Sequence, residues 1–204
     1  LGALASTTGD VSLIAATISD SSAAGDAAID VTATDLRVKA SDAGGFGEDN
    51  NHIETSIGNI SVDAGTGGVF VTENDNITVS KLGAIEVKRV KEDSTVIDSF
   101  NTDLAQEDII SDDVLVLQTN NGSITVYGGD DAAGISAENN ILLKSAENNE
   151  DNADNEDEDN AANISLNASV TSIGGHISLH CTDVLVQAAD GDITAQAAAM
   201  TIDL

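Results

Sequence analysis

The run from Gly44 to His52, GGFGEDNNH, places three glycines and Asp49 at the spacing of a calcium-binding nonapeptide of the form GGxGxDxUx. Carboxylate and carbonyl oxygens are what a hard cation takes as ligands. Asn51 stands where an apolar residue would anchor the turn, and no second copy follows to complete the site from the next turn. A second oxygen-rich stretch, Glu147 to Asn160 (ENNEDNADNEDEDN), gathers eight carboxylates with no aliphatic residue beyond Ala153. Asp49 together with Glu150, Asp151, Asp154, Glu156 and Asp157 is therefore the candidate calcium ligand set. The plain alternative for residues 147–160 is an acidic mobile loop that cannot pack a core and condenses cations loosely.

Other chemistry finds little support. The chain has no GxSxG, HExxH, P-loop or paired CxxC, and only His52, His176 and His180 titrate near neutral pH unaided. On one strand His176 and His180 share a face, but four residues of extended chain set them about 13 Å apart, too far to chelate one metal. Both are expected on the outer surface. A β-helical polysaccharide lyase or hydrolase would need an exposed acidic cluster and aromatic platforms, whereas this chain has two arginines, Arg37 and Arg89, and no Trp. No catalytic residue is assigned. The mark of that enzyme alternative would be two carboxylates stacked on neighbouring coils about 5–9 Å apart.

Short strands must position all of these groups. Apolar alternation opened by Gly or Asn recurs at Gly9–Leu13, Gly58–Val62, Asn76–Val79, Gly122–Val126, Asn163–Leu166, Gly175–Leu179 and Gly191–Thr194. Each is the period-2 signature of a half-buried strand of about five residues. A second phrase, DLRV or DVLV, begins at Asp35, Asp113 and Asp183. Longer matches run without gaps: Gly58–Ser80 lies on Gly122–Lys144 at an offset of 64, and the segment ending at Ala40 on that ending at Ala188 at an offset of 148. Both offsets are near multiples of about 21, which predicts an all-β parallel β-helix (β-solenoid) of about ten coils over residues 1–204, a rod about 45–50 Å long. An antiparallel β-sandwich is the alternative, although it would not recur as near copies at long fixed offsets. Residues 81–112 break the pattern with four of the seven basic residues and are read as an irregular or protruding coil, with a turn of helix over DLAQEDII. The five Asn-x-Ser/Thr sequons read as strand openers, and Asn76 and Asn140 as members of a turn or of an asparagine ladder hydrogen-bonded from coil to coil.

Composition agrees with a narrow, stacked interior. Aromatics are 2%, so the core must be Ile, Val, Leu and Ala, and eighteen Gly with no Pro fits many turns between paired strands. Thirty-six acidic against seven basic residues give a net charge of −29, which repels phosphate backbones and anionic lipid, so nucleic-acid and membrane-surface binding are excluded as primary roles. Such acidity would also suit the cytoplasm of a salt-loving cell. Cys181 cannot form an internal disulfide and alternates with Ile177 and Leu179, as a small buried hydrophobe does. No apolar run reaches transmembrane length, and with neither a start Met nor a signal peptide the chain is expected to lie inside a longer or processed polypeptide.

The order of the strand phrases carries a family resemblance. GAIEVKRVKEDSTVIDSFNTDLAQEDI, DVLVLQTNNGSITV, NNILLKSAENN, NISLNASVTSIGGHISL and DVLVQAADGDITA, most clearly over residues 84–204, resemble the repeats of giant bacterial surface proteins of the filamentous-haemagglutinin-like adhesin type. The resemblance implies an exported, right-handed parallel β-helix in a cell-surface or secreted fibre, and it supplies no catalytic residues. The reading is a noncatalytic, stiff acidic rod, extracellular or at the cell surface, needing no cofactor. Its partners are neighbouring repeats or end-to-end copies, with host or surface glycans as outside ligands. The rivals are a calcium-dependent adhesive module and a polysaccharide-degrading β-helix.

Overall fold

A computed structural model describes residues 1–87, 90–96, 101–147, 162–197 and 199–203. Its strands are β1 (Leu4–Ala5), β2 (Val11–Ile14), β3 (Val31–Lys39), β4 (Ile53–Ala64), β5 (Val69–Glu73), β6 (Ile77–Val79), β7 (Ile85–Val87), β8 (Asn101–Asp103), β9 (Ile109–Ser111) and β10 (Leu115–Thr119). Then follow β11 (Ile124–Val126), β12 (Ala133–Ala137), β13 (Ile141–Lys144), β14 (Ile164–Leu166), β15 (Ser169–Ser172), β16 (Ile177–His180), β17 (Leu185–Gln187), β18 (Ile193–Ala195) and β19 (Met200–Asp203). Each of the seven Gly- or Asn-opened runs becomes a strand or part of one, and among the described residues DLAQEDII forms no helix but leads into β9.

Seventeen of these strands join one sheet whose strand pairs are all parallel, so the sandwich is not what forms. In the C-terminal half every strand pairs with the third strand after it: β10 with β13, β11 with β14, β12 with β15, β13 with β16. The chain thus visits three strand columns in turn, and the sheet curls around the core, consistent with a β-solenoid. In the third column Leu13, Val38, Val62, Ile109, Ile135, Val170 and Ile193 stand in register, one above another. Among the described residues seven levels occupy this column where about ten coils were expected; its steps run from 23 residues (Val170 to Ile193) to 47 (Val62 to Ile109), while other columns hold steps of 18 (Ile53 to Val71) and 21 (Ile164 to Leu185). At one strand spacing per level the stack rises about 29 Å.

The two longest steps, Val62 to Ile109 and Ile135 to Val170, contain the two irregular stretches of the sequence. In the first, β7 and β8 pair antiparallel, with further antiparallel bridges between Leu82 and Gln106 and between Val90 and Val96. This hairpin is tied to the outside of β3: Arg37 Nε donates to Leu104 O (3.0 Å) and Gln106 Nε2 to Val38 O (2.8 Å). Arg37 points outward yet is buried, because this segment covers it. The second stretch includes most of the acidic run, whose residues 148–160 lie outside the described residues.

Alternation explains the packing. Within β10 and β11, Leu115, Leu117, Ile124 and Val126 are fully buried while Val116, Gln118 and Thr125 face outward. Stacking puts like on like: Val71, Leu117, Leu143 and Leu179 form one interior column with no exposed surface. Each such side chain contributes about 1.5–3 kcal/mol by burial. Among the described residues Phe46 is the fully buried aromatic, bridged to Ile18 and Val69.

The strand-opening asparagines act at the corners. Asn76 Oδ1 accepts from Ser123 N (2.8 Å), Asn140 Oδ1 from His176 N (2.8 Å) and Asn163 Oδ1 from Val184 N (3.0 Å). In each case the side chain satisfies a backbone amide one level up, so the ladder runs from amide side chain to main chain. Asn76 and Asn140 nonetheless sit in different columns, since Ile77 pairs with Ile124 whereas Ile141 pairs with Leu115 and Ile177. Asn76→Ala should lower stability by about 1 kcal/mol, read as the midpoint of urea denaturation. An unchanged midpoint would remove the ladder from the account of stability.

Candidate functional site

The column formed by β5, β10, β13, β16 and β19 carries the chemistry on its outer side. Register places Glu54, Thr72, Gln118, Lys144, His180 and Asp203 in one outward row, with Asp30 preceding Glu54. Thr72 Oγ1 accepts from Gln118 Nε2 (2.9 Å) and contacts His52 Nδ1 (2.9 Å), and His180 Nδ1 lies 3.4 Å from Asp203 Oδ2. His176 is exposed and His180 partly so. His52 is half-covered, its ring tilted against Phe70 at 5.8 Å, and burial lowers its pKa against the opposing pull of Asp49.

At the N-terminal end of this row three carboxylates meet. Asp20, from the loop after Ile18, Asp30, just before β3, and Glu54, the second residue of β4, offer oxygens all within 4.8 Å of one another. Backbone pairing brings the last two together, since Asp30 N donates to Glu54 O (2.8 Å) and Glu54 N to Asp30 Oδ2 (3.2 Å). Both are more than nine-tenths buried. Burial, the Asp30 contact and the nearby acids push Glu54 up to about 7, and burial likewise raises Asp30. Asp20 moves the other way: burial pushes its pKa up, but hydrogen bonds from Ser22 N (2.9 Å) and Asn51 Nδ2 (2.9 Å) help to outweigh it. Glu54 also lines a pocket of about 280 Å³ with Asp26, Asp49 and His52, through which solvent reaches it. The trio can share protons between its acids, or bind a hard cation in their place.

Asp49 does not join the trio. It is exposed in the loop after Gly47, and the nonapeptide glycines have a steric purpose. A Cβ on Gly44 would fall 1.5 Å from Ala16 O, and Gly47 adopts φ +82°, so both answer the close approach of neighbouring levels. Asn51, the departure from the motif, is the residue that holds Asp20. Glu150, Asp151, Asp154, Glu156 and Asp157 lie outside the described residues.

Two further carboxylates are buried. Glu73, with no exposed surface, accepts from Thr55 Oγ1 (2.6 Å), Ile57 N (3.2 Å) and Asp75 N (3.2 Å) at a corner, and burial overrides these bonds to hold it at about 7. Asp108 sits at φ 66°, its Oδ1 the buried side-chain atom without a hydrogen-bond partner among the described residues, and burial with Asp131 and Glu107 raises it to about 6. Cys181 is buried, which pushes its thiol up.

Beside the polar row runs an apolar one. Phe70, Val116 and Leu142 stand on successive levels, facing out. They floor an open groove of about 960 Å³ with Glu48, Asp49 and Asp113 among the residues lining it. No protein-family model, no curated protein and no solved structure matches the chain.

Proposed function

We propose that this chain is a noncatalytic structural segment of an extracellular or cell-surface bacterial fibre, a closed parallel β-helix acting as a stiff acidic rod. The observation that carries the reading is the in-register stacking of aliphatic residues, seven levels deep in the third column, in a parallel sheet that curls around them. Such a stack resists extension because pulling along its axis must break strand pairings several at a time, while a charge of −29 keeps rods apart. The first and last levels leave inward-facing residues open: Leu4 is 36% and Met200 and Ile202 are 39% and 46% exposed. A further coil, from adjoining sequence or from a second copy, is the natural cover for either edge.

Negative-stain electron microscopy of the protein with calcium and with chelator tests this. End-to-end fibres built from segments about 29 Å tall are the expected result under both conditions; isolated particles that never join end to end would refute the fibre. The second reading, a calcium-dependent adhesive module, is favoured by the buried trio of Asp20, Asp30 and Glu54. Fibres that disappear with chelator would select it.

A further inference from the structure

We propose that the corner where Glu107 and Asp108 meet the turn of residues 128–131 is a divalent-cation site, suited to calcium. It begins from an unmet need. Asp108 is 6% exposed, and its Oδ1 is the buried side-chain atom that no described residue bonds. The backbone there is anchored, since Asp108 O accepts from Val62 N (3.0 Å) and Ser61 Oγ (3.0 Å), so the residue cannot be carried out to solvent without breaking the entry to β9. An orphaned buried oxygen in a folded protein marks a place for a water or an ion.

Charge decides between them. Glu107 Oε2 accepts from Asp130 N (2.7 Å), and a Cβ on Gly129 would fall 1.8 Å from it, so the turn is pressed onto this side chain. Asp131 Oδ1 accepts from Ala133 N (2.7 Å), and the charges of Asp131 and Glu107 both bear on Asp108. Among the described residues the positive charge that reaches the corner is Lys81, and Asp130 holds it. Glu107, Asp108 and Asp131 are thereby left without a counter-ion, which a water cannot supply and a hard cation can. Their oxygens are spread more widely than those of Asp20, Asp30 and Glu54. Calcium's shell of about six to eight oxygens admits water and main-chain carbonyls, however, and Asp131 is exposed and free to turn inward. Because Ile109 pairs with Ile135 on the next level, a cation here ties two levels together where the β7–β8 hairpin rejoins the stack. The site depends on neither the rod nor the carboxylate trio.

Terbium, a hard cation that stands in for calcium, tests this on the full chain. Tyr127 is the one tyrosine of a chain without Trp, and it directly precedes the turn, so tyrosine excitation reports a cation bound here at short range. In about 0.15 M salt, where loose condensation on the acidic surface is screened, the protein should give saturable terbium emission that calcium displaces. Asp131→Asn and Asp108→Asn should each weaken the affinity at least about tenfold, while Glu54→Gln leaves it unchanged. Asn tolerates the φ of 66° at position 108, and circular dichroism melts check that both folds are intact. Asp131→Asn, at an exposed position, decides the test even where Asp108→Asn does not fold. Absent emission, emission that calcium does not displace, indifference to either corner variant once folded, or an equal loss in Glu54→Gln overturns the proposal.

Discussion

The protein is expected to melt at a higher temperature at pH 5 than at pH 8. Glu54 and Glu73 are held at about 7 and Asp108 at about 6, all chiefly by burial, whereas in the unfolded chain such groups titrate near 4. Between about pH 4 and pH 7 the folded state therefore binds more protons than the unfolded one, and stability must fall as pH rises through that window. Asp20 and Asp93, whose values are lowered, act in the opposite sense only below about pH 4, whereas His52, also lowered, opposes the trend within the window, one imidazole against three carboxyls. The total change should be on the order of a few kcal/mol. Circular dichroism melts at constant ionic strength from pH 5 to 8 check it. A double variant, Glu54→Gln with Glu73→Gln, should flatten the dependence, since the Thr55 hydroxyl can reverse to accept from the introduced side-chain amide while the ionisation is gone. A melting temperature that stays level or climbs between pH 5 and pH 8 would show that these carboxylates do not carry their protons in the fold.

Truncating one interior column should cost more than any surface change. Leu117→Ala is expected to destabilise by about 3–5 kcal/mol, because Leu117 has no exposed surface and is clamped between Val71 and Leu143 with little freedom to collapse around the void. Val186→Ala, at 49% exposure, should change stability by no more than about 0.5 kcal/mol. Since each level contacts only its neighbours, the loss should be local before it is global. Hydrogen exchange should show protection falling first in β10 and the strands paired with it. Uniform loss across all strands would mean that the stack unfolds as one unit.

The strands were legible in the sequence, and the reason is local: a Gly or Asn followed by alternating aliphatics makes a strand whichever column it joins. That same indifference hid the coil. Asn76–Val79 and Asn140–Leu143 match at an offset of 64 yet occupy different columns, and the phrases beginning at Asp113 and Asp183 do likewise. With three columns reading the same code, sequence likeness reports the burial pattern and not the level, so a repeat of about 21 residues emerged from steps such as Leu13 to Val38 and Val170 to Ile193. The trio was illegible for another reason. Asp20, Asp30 and Glu54 share no motif and are united by stacking alone, while the motif that was visible, Gly44–His52, owes its glycines to the carbonyls of neighbouring levels. The one signal that could have found the trio is Asn51, whose polarity at an apolar position had a partner in Asp20.

Stacking register survives two large interruptions. Val62 remains over Ile109 and Ile135 over Val170 although a long stretch of chain separates each pair, and the β7–β8 hairpin leaves and rejoins the stack at a corner. Load and display are therefore borne by different parts of the polypeptide: the ladders transmit force, and the corners accept passengers. A foreign peptide grafted into the turn between Val90 and Val96 would ride on the shaft without entering it, and equivalent grafts at the corners of successive levels would be presented at intervals set by the strand spacing.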